Sequence, residues 1–176
     1  MLNLTIRQAT ATDASTIGML HAASWKIAYR NILSDSFLDN DLESERKKFW
    51  EARMQGLKPN EFVFIAESGN RAVGFIAVLD KPEKGYKAFI DNLHAHPDFK
   101  GKGIGSMLMK AAAEKLSRNG IDNVYLWVLI GNDKAEGFYK AIGGRPSDTS
   151  TVNFGGRNVG QTRFVWDTLR DLLKIK

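Results

Sequence analysis

The stretch from Tyr86 to Leu129 limits the fold more than any other part of the chain. Tyr86 to Ala95 reads as a strand stopped by Pro97, and Val124 to Leu129 is a nearly continuous apolar run, the pattern of a strand buried on both faces. Between them Gly103 to Asn119 carries Ile104, Leu108, Ala111, Ala112 and Leu116 at helical spacing, and Gly120 supplies a left-handed end. Strand, helix and strand in that order predict a right-handed crossover joining two parallel strands.

The remaining segments supply neighbours for that unit. Leu2, Leu4 and Ile6 alternate with polar residues as a first strand, and Thr12-Asp13 opens a helix bearing Ile17, Leu20, Ser24 and Ala28. Ser34 is a further cap, and a second helical stretch runs from about Leu42 to Met54 before Pro59-Asn60 breaks it. Phe62–Ala66 and Val73–Leu79 flank the short turn Glu67–Arg71, which predicts an antiparallel hairpin. Asp133 to Ile142 is a short helix closed by Gly143-Gly144. The tail offers strands at Thr151–Phe154 and Thr162–Trp166 about a Gly155-Gly156 turn, then an amphipathic stretch from Leu169 to Ile175. The expected fold is one α/β domain over residues 1–176, with a mixed sheet carrying helices on its faces.

Composition removes several chemistries. With no cysteine, the chain has no disulfide, thiolate metal site or Cys nucleophile, and with three histidines (His21, His94, His96) no metal site is expected. The longest apolar run, Val124–Ile130, is far short of the ~20 residues that cross a bilayer, and the N-terminus lacks the pattern of a signal peptide, so a cytoplasmic protein is expected. The net charge of +5 lies mostly in residues 89–176. It is scattered, without an aromatic–basic platform or helix-turn-helix signature, which suits an anionic small ligand better than nucleic acid.

The glycines name the place for that anion. Gly101, Gly103 and Gly105 alternate between a strand end and a helix start, with Lys100 and Lys102 at the rim. Glycine admits positive φ and leaves no Cβ between a ligand and the amides, and free N–H groups at a helix N-terminus attract anions. A Walker loop is absent. A dinucleotide fingerprint fits poorly, because Ser106 takes the place of its last glycine and Asp122 precedes its strand.

The whole pattern resembles the GNAT superfamily of N-acetyltransferases. Its acetyl-CoA signature, Gln/Arg-x-x-Gly-x-Gly/Ala, is approached by Lys100-x-x-Gly103-x-Gly105, with Lys at the first position. Leu93-His94-Ala95 with Pro97 is similar to the family's fourth-strand ending. Asn132-x-x-Ala135-x-x-Phe138-Tyr139-x-x-x-Gly143-Gly144 is similar to its Asn…Ala…Phe-Tyr…Gly-Phe block, with Gly144 where an aromatic is commoner. The resemblance implies a twisted mixed sheet of about seven strands whose parallel fourth and fifth strands splay apart.

It also implies roles. Acetyl-CoA would be the co-substrate, without a metal. Its pantetheine arm would lie along Leu93, His94 and Ala95, its pyrophosphate on Lys100, Gly101, Lys102, Gly103, Ile104, Gly105 and Ser106, with Asn132 and Phe138 on the far side. A neutral amine would attack the thioester directly, and Tyr139 would protonate the departing thiolate, as a phenol of pKa ~10 can. Alternation from Leu93 would put Phe89 and Asp91 on one face, making Asp91 the candidate base, with Glu67 a weaker one, and would turn His94 away. His94 and His96 are read as structural. His21-Ala-Ala-Ser-Trp25-x-x-x-Tyr29 with Ile32-Leu33-Ser34 resembles a subgroup acting on small amines or amino acids, so Trp25 and Tyr29, four apart on one helical face, are candidate acceptor contacts, while Asn153, Phe154 and Arg157 lie near the tail turn. A small-molecule amine is the expected acceptor. A protein or peptide acceptor, a non-catalytic CoA sensor and a homodimer stay open.

Overall fold

The computed structural model describes residues 3–30, 33–40, 42–154 and 157–176; Leu2, Ile32, the Gly155-Gly156 turn and the Phe154 side chain of the sequence reading lie outside them. The strands are β1 (Leu4–Gln8), β2 (Phe62–Ser68), β3 (Arg71–Leu79), β4 (Ala88–Ala95), β5 (Val124–Leu129), β6 (Arg145–Phe154) and β7 (Arg157–Trp166). The helices are α1 (Ala14–Ala28), α2 (Asp35–Asp39), α3 (Leu42–Gln55), α4 (Ile104–Arg118), α5 (Asp133–Ala141) and α6 (Arg170–Leu173). All seven strands form one sheet in the order β1-β2-β3-β4-β5-β7-β6. Only β4 and β5 are parallel, as the crossover through α4 requires.

Each face of the sheet buries a different helix set. On one, Ile104, Leu108, Met109, Ala112 and Leu116 of α4 meet Ile76, Val78, Val124, Leu126 and Phe164. On the other, Ile17 and Leu20 of α1 and Trp50 of α3 cover Val63, Ile65, Phe75 and Ala77. α1 and α3 cross closely, because a Cβ at Gly18 would stand 2.8 Å from the Lys47 Cα. None of the described helices is long and apolar enough to cross a membrane.

Two elements exceed the sequence reading. β6 and β7 are each 10 residues long, where only their apolar ends were expected. β6 is an edge strand paired on one side, and its Ser147-Asp-Thr-Ser-Thr151 run has no buried face to leave an alternation. Ser34 takes the N-cap position of the five-residue α2, which is too short to show a period, but its side chain makes no capping hydrogen bond.

A bulge in β4 matters most. Ala77 pairs with Asn92 and Val78 with Ile90, so Asp91 is the extra residue and has no partner on β3. Before the bulge Ala88 and Ile90 face α4 and Phe89 packs against Tyr125 and Val165; after it Leu93 and Ala95 face α4. Strict alternation therefore fails at Asp91.

Candidate active site

β4 and β5 pair only through Ala88–Val124 and Phe89–Tyr125, then separate. The opening between them is a cleft of about 520 Å³. Along Leu93, His94 and Ala95 one edge of β4 is occupied by β3, through Ile76, Phe75 and Gly74, so the edge toward β5 is left to the cleft. Such an edge can take an extended amide-bearing ligand as a strand.

At the C-terminal end of β4 the chain turns through Pro97–Phe99, where the His96 Nδ1 accepts the Asp98 N–H at 3.3 Å. Gly101 and Gly103 follow at φ +74° and +78°. Their left-handed backbone aims the turn into α4, whose first helical bond is Met107 N–H to Gly103 O at 3.0 Å. The amides of Ile104, Gly105 and Ser106 precede that bond and sit at the positive end of the helix. Lys100, Gly101, Gly103, Ile104, Gly105 and Ser106 line the cleft. Lys102 does not; it is exposed at the rim of the turn.

The sequence reading missed Lys134, which lines the cleft from the first turn of α5. Partial burial, and next the charge of Lys134, hold the Lys100 amine below the usual lysine range. The missed signal was a lysine at a helix N-terminus, where the dipole disfavours a cation unless an anion joins it. Asn132 caps α5 by accepting the Ala135 N–H at 3.4 Å and also lines the cleft. Phe138 lies against the turn, 3.1 Å from where a Gly105 Cβ would stand. Beside it Tyr139 is 8% exposed, packed against Phe164 and Trp166 with ring centroids at 6.0 Å, and lines the cleft. Burial, and next the Tyr29 phenol, push its own phenol well above the ordinary value.

The opposite wall comes from α1 and the bulge. Asp91 lines the cleft and pairs with Arg53 of α3 at 2.9 Å, while the Asn92 amide donates to the same carboxylate oxygen at 2.5 Å. Arg53 in turn lies over the rings of Phe49 and Trp50. Trp50 Nε1–H donates to His21 Nδ1 at 2.9 Å, and the His21 ring lies 4.6 Å from that of His94. Asp91 thus faces the helices that cover His94, and Phe89 and Leu93 lie on opposite faces: the expected common face of Phe89, Asp91 and Leu93, with His94 turned away, is corrected by the bulge.

Tyr29 lines the cleft and burial pushes its phenol up to about 12. Trp25 does not line it. Only 7% exposed, it lies edge-on to Tyr29 at 5.6 Å and beneath Arg46 at 4.7 Å, so it supports the wall rather than forming it. Glu67 is paired with Arg7 at 2.9 Å outside the cleft. His96 meets Arg71 at 3.1 Å in the exposed turn. Ser24 and Trp127, neither singled out for the acceptor, also line the cleft.

The comparisons with known proteins converge on one family. The model of the acetyltransferase (GNAT) family matches residues 26–143. The uncharacterized N-acetyltransferase YuaI of Bacillus subtilis is 24% identical over 172 residues, 96% of either chain. The spermidine N(1)-acetyltransferase of Thermoplasma acidophilum is 23% identical over 87% of this chain and 95% of its own. A stronger local match, 37% identical over 84 residues, to the uncharacterized N-acetyltransferase MJ1207 of Methanocaldococcus jannaschii covers 46% of this chain and 37% of that protein. The crystal structure of the PaiA N-acetyltransferase of Thermoplasma acidophilum in complex with coenzyme A superposes with a TM-score of 0.73 at 21% identity, over 91% of this chain and 98% of that one. With the splayed strands, the glycine turn and a family match over most of its length, the chain belongs to the acetyltransferase (GNAT) family.

Proposed function

We propose that the protein moves an acetyl group from acetyl-CoA to a primary amine of a small molecule, by direct attack within a ternary complex. The observation that carries this reading is the cleft itself, an open strand edge running from a glycine turn to a buried phenol.

The residues suit the co-substrate. The amides of Ile104, Gly105 and Ser106, with Lys100 and Lys134, form a concentrated positive end for a pyrophosphate, and an anion there relieves the Lys134 repulsion that adds to burial in lowering the Lys100 amine. The β4 edge at Leu93–Ala95 matches the amides of a pantetheine arm, with Asn132 and Phe138 across from it. When bound, acetyl-CoA supplies an activated acyl group on a thiol leaving group. Amides of β4 stabilise charge on the carbonyl oxygen. Tyr139, kept protonated by burial, gives its proton to the sulfur. Asp91, held by Arg53 and Asn92, takes the amine's proton through water.

A small amine agrees with the spermidine enzyme among the relatives and with an acceptor wall made of Tyr29, Asp91 and Trp127 inside the cleft. The test is steady-state thiol release with acetyl-CoA and a panel of spermidine, putrescine, L-lysine, 2-phenylethylamine and a lysine-bearing peptide, with the acetylated product identified by mass spectrometry. Turnover of a small amine above the peptide supports the reading. Coenzyme A binding by calorimetry without transfer to any acceptor would identify a sensor instead.

A further inference from the structure

Ser24 is a polar residue of the cleft that the reaction above leaves without a role. It sits on α1, is 4% exposed, and its hydroxyl reaches the His94 Nδ1 of β4 at 3.0 Å, a contact spanning 70 residues of sequence. A helical serine can bond back to its own helix or point to solvent. This one is directed to an imidazole on the sheet. Ala28 stands one turn on, at i+4 on the same face, and its small side chain leaves room in the cleft beside the hydroxyl.

The imidazole is packed on the side away from the cleft opening. Its ring is tilted by 33° against that of His21, with centroids 4.6 Å apart, and lies 5.4 Å from Phe75. Trp50 can only donate, so its 2.9 Å bond gives His21 an unprotonated Nδ1 and fixes that ring in turn. The bulge at Asp91 places this assembly on the side of the sheet where Asp91 meets Arg53, the acceptor side.

We propose that Ser24 is a positioning residue for the acceptor amine: its hydroxyl donates to the unprotonated Nδ1 of His94 and turns its oxygen lone pairs to an N–H of the amine. This rests on the acetyl-transfer reading and adds a residue to it. The amine then meets the thioester with its own lone pair directed by a fixed acceptor, and no proton moves at Ser24 or His94. The charged and titratable groups that act on His94 are His21 of α1, Arg46 of α3 and Lys100 of the turn. Burial first, then Lys100 and Arg46, bring the His94 imidazole down to about 3, so the ring stays neutral at pH 7 and keeps one unprotonated nitrogen.

Two measurements on the full chain decide it. Nitrogen-15 spectra of the histidine-labelled protein at pH 7, with and without coenzyme A, report the His94 tautomer without any need for turnover; a protonated Nδ1 overturns the proposal. Kinetics follow with the panel amine that turns over best. Ser24→Ala should lower kcat by roughly 5- to 10-fold, the worth of one hydrogen bond, with the KM for acetyl-CoA unchanged and Ser24→Thr restoring most of the rate. A merely structural serine would change stability and leave this split untouched. Full activity in Ser24→Ala overturns the proposal alone, whereas a wild type that binds coenzyme A and acetylates nothing overturns the transfer reading beneath it.

Discussion

At one end of the cleft the groups available to a ligand are backbone amides and two lysines; at the other they are side chains drawn from α1, β4 and β5. The glycine turn lies within seven consecutive residues, Lys100–Ser106, and works through φ angles and a helix dipole. The acceptor wall joins Ser24, Asp91 and Trp127, residues spread over more than half of the chain; His94 holds the first and Arg53 the second through contacts that only the fold creates. The first end acts through the main chain, and the second through side chains that a single substitution replaces.

Tyr139 stands where the two ends meet, and its removal is the largest effect expected. Tyr139→Phe keeps the ring between Phe164 and Trp166 and deletes only the hydroxyl. The expected outcome is a kcat lowered by roughly a hundredfold or more, the usual worth of a positioned acid, with an unchanged coenzyme A dissociation constant by calorimetry. Because burial raises the phenol, the wild-type rate should show no loss from its ionisation up to pH 9. Undiminished turnover would move the acid elsewhere and join the chemistry to the acceptor wall alone.

The same contrast explains what could be read without coordinates. The crossover, the hairpin and the glycine turn are local: periodicity, turn residues and left-handed positions appear in consecutive letters, and β5 begins and ends at Val124 and Leu129 as the apolar run does. Asp91 was found as a cleft residue by an argument from alternation that the bulge invalidates, since an inserted residue leaves no mark in composition. Trp25 and Tyr29 share a helical face, yet the cleft ends between them. Which side chain lines it depends on Arg46 and α2 packing over the indole, and no spacing within α1 encodes that.

Acid should weaken the acceptor side through its histidines. His21 is 1% exposed, and burial, with help from His94, Arg46 and Arg53, holds its imidazole far below the ordinary value. The unfolded chain takes up a proton near pH 6.5 and the folded chain does not. Stability is therefore level above that pH and falls as the pH drops below it, continuing toward about 3 for His94. By pH 5 His21 alone should cost about 2 kcal/mol, read by urea unfolding at pH 7 and pH 5. His21→Phe deprives the Trp50 N–H of its acceptor and lowers the baseline, so the slope is the quantity to compare: it should be shallower than in the wild type. Equal slopes would mean that the imidazole finds a proton in the folded state, and the rigid wall would then be a titrating one.

The smallest effect separates two reasons why the turn at the other end needs glycine. A Cβ added to Gly103 meets nothing within 4 Å, so in the free protein a side chain there has room. Its φ of +78° is the obstacle, costing a residue with a Cβ about 1–2 kcal/mol. A branched side chain that relieves this by shifting the turn carries the amides of Ile104 and Gly105 away from the phosphate position, so Gly103→Val should weaken coenzyme A binding by about tenfold with the fold retained. Asn tolerates the left-handed region, so Gly103→Asn should lose several-fold less if conformation governs the turn. If instead the bound phosphate needs bare backbone, Val and Asn should lose affinity equally, because either Cβ occupies the same point. Calorimetry on the pair therefore tells whether the glycine turn acts by its shape or by its nakedness.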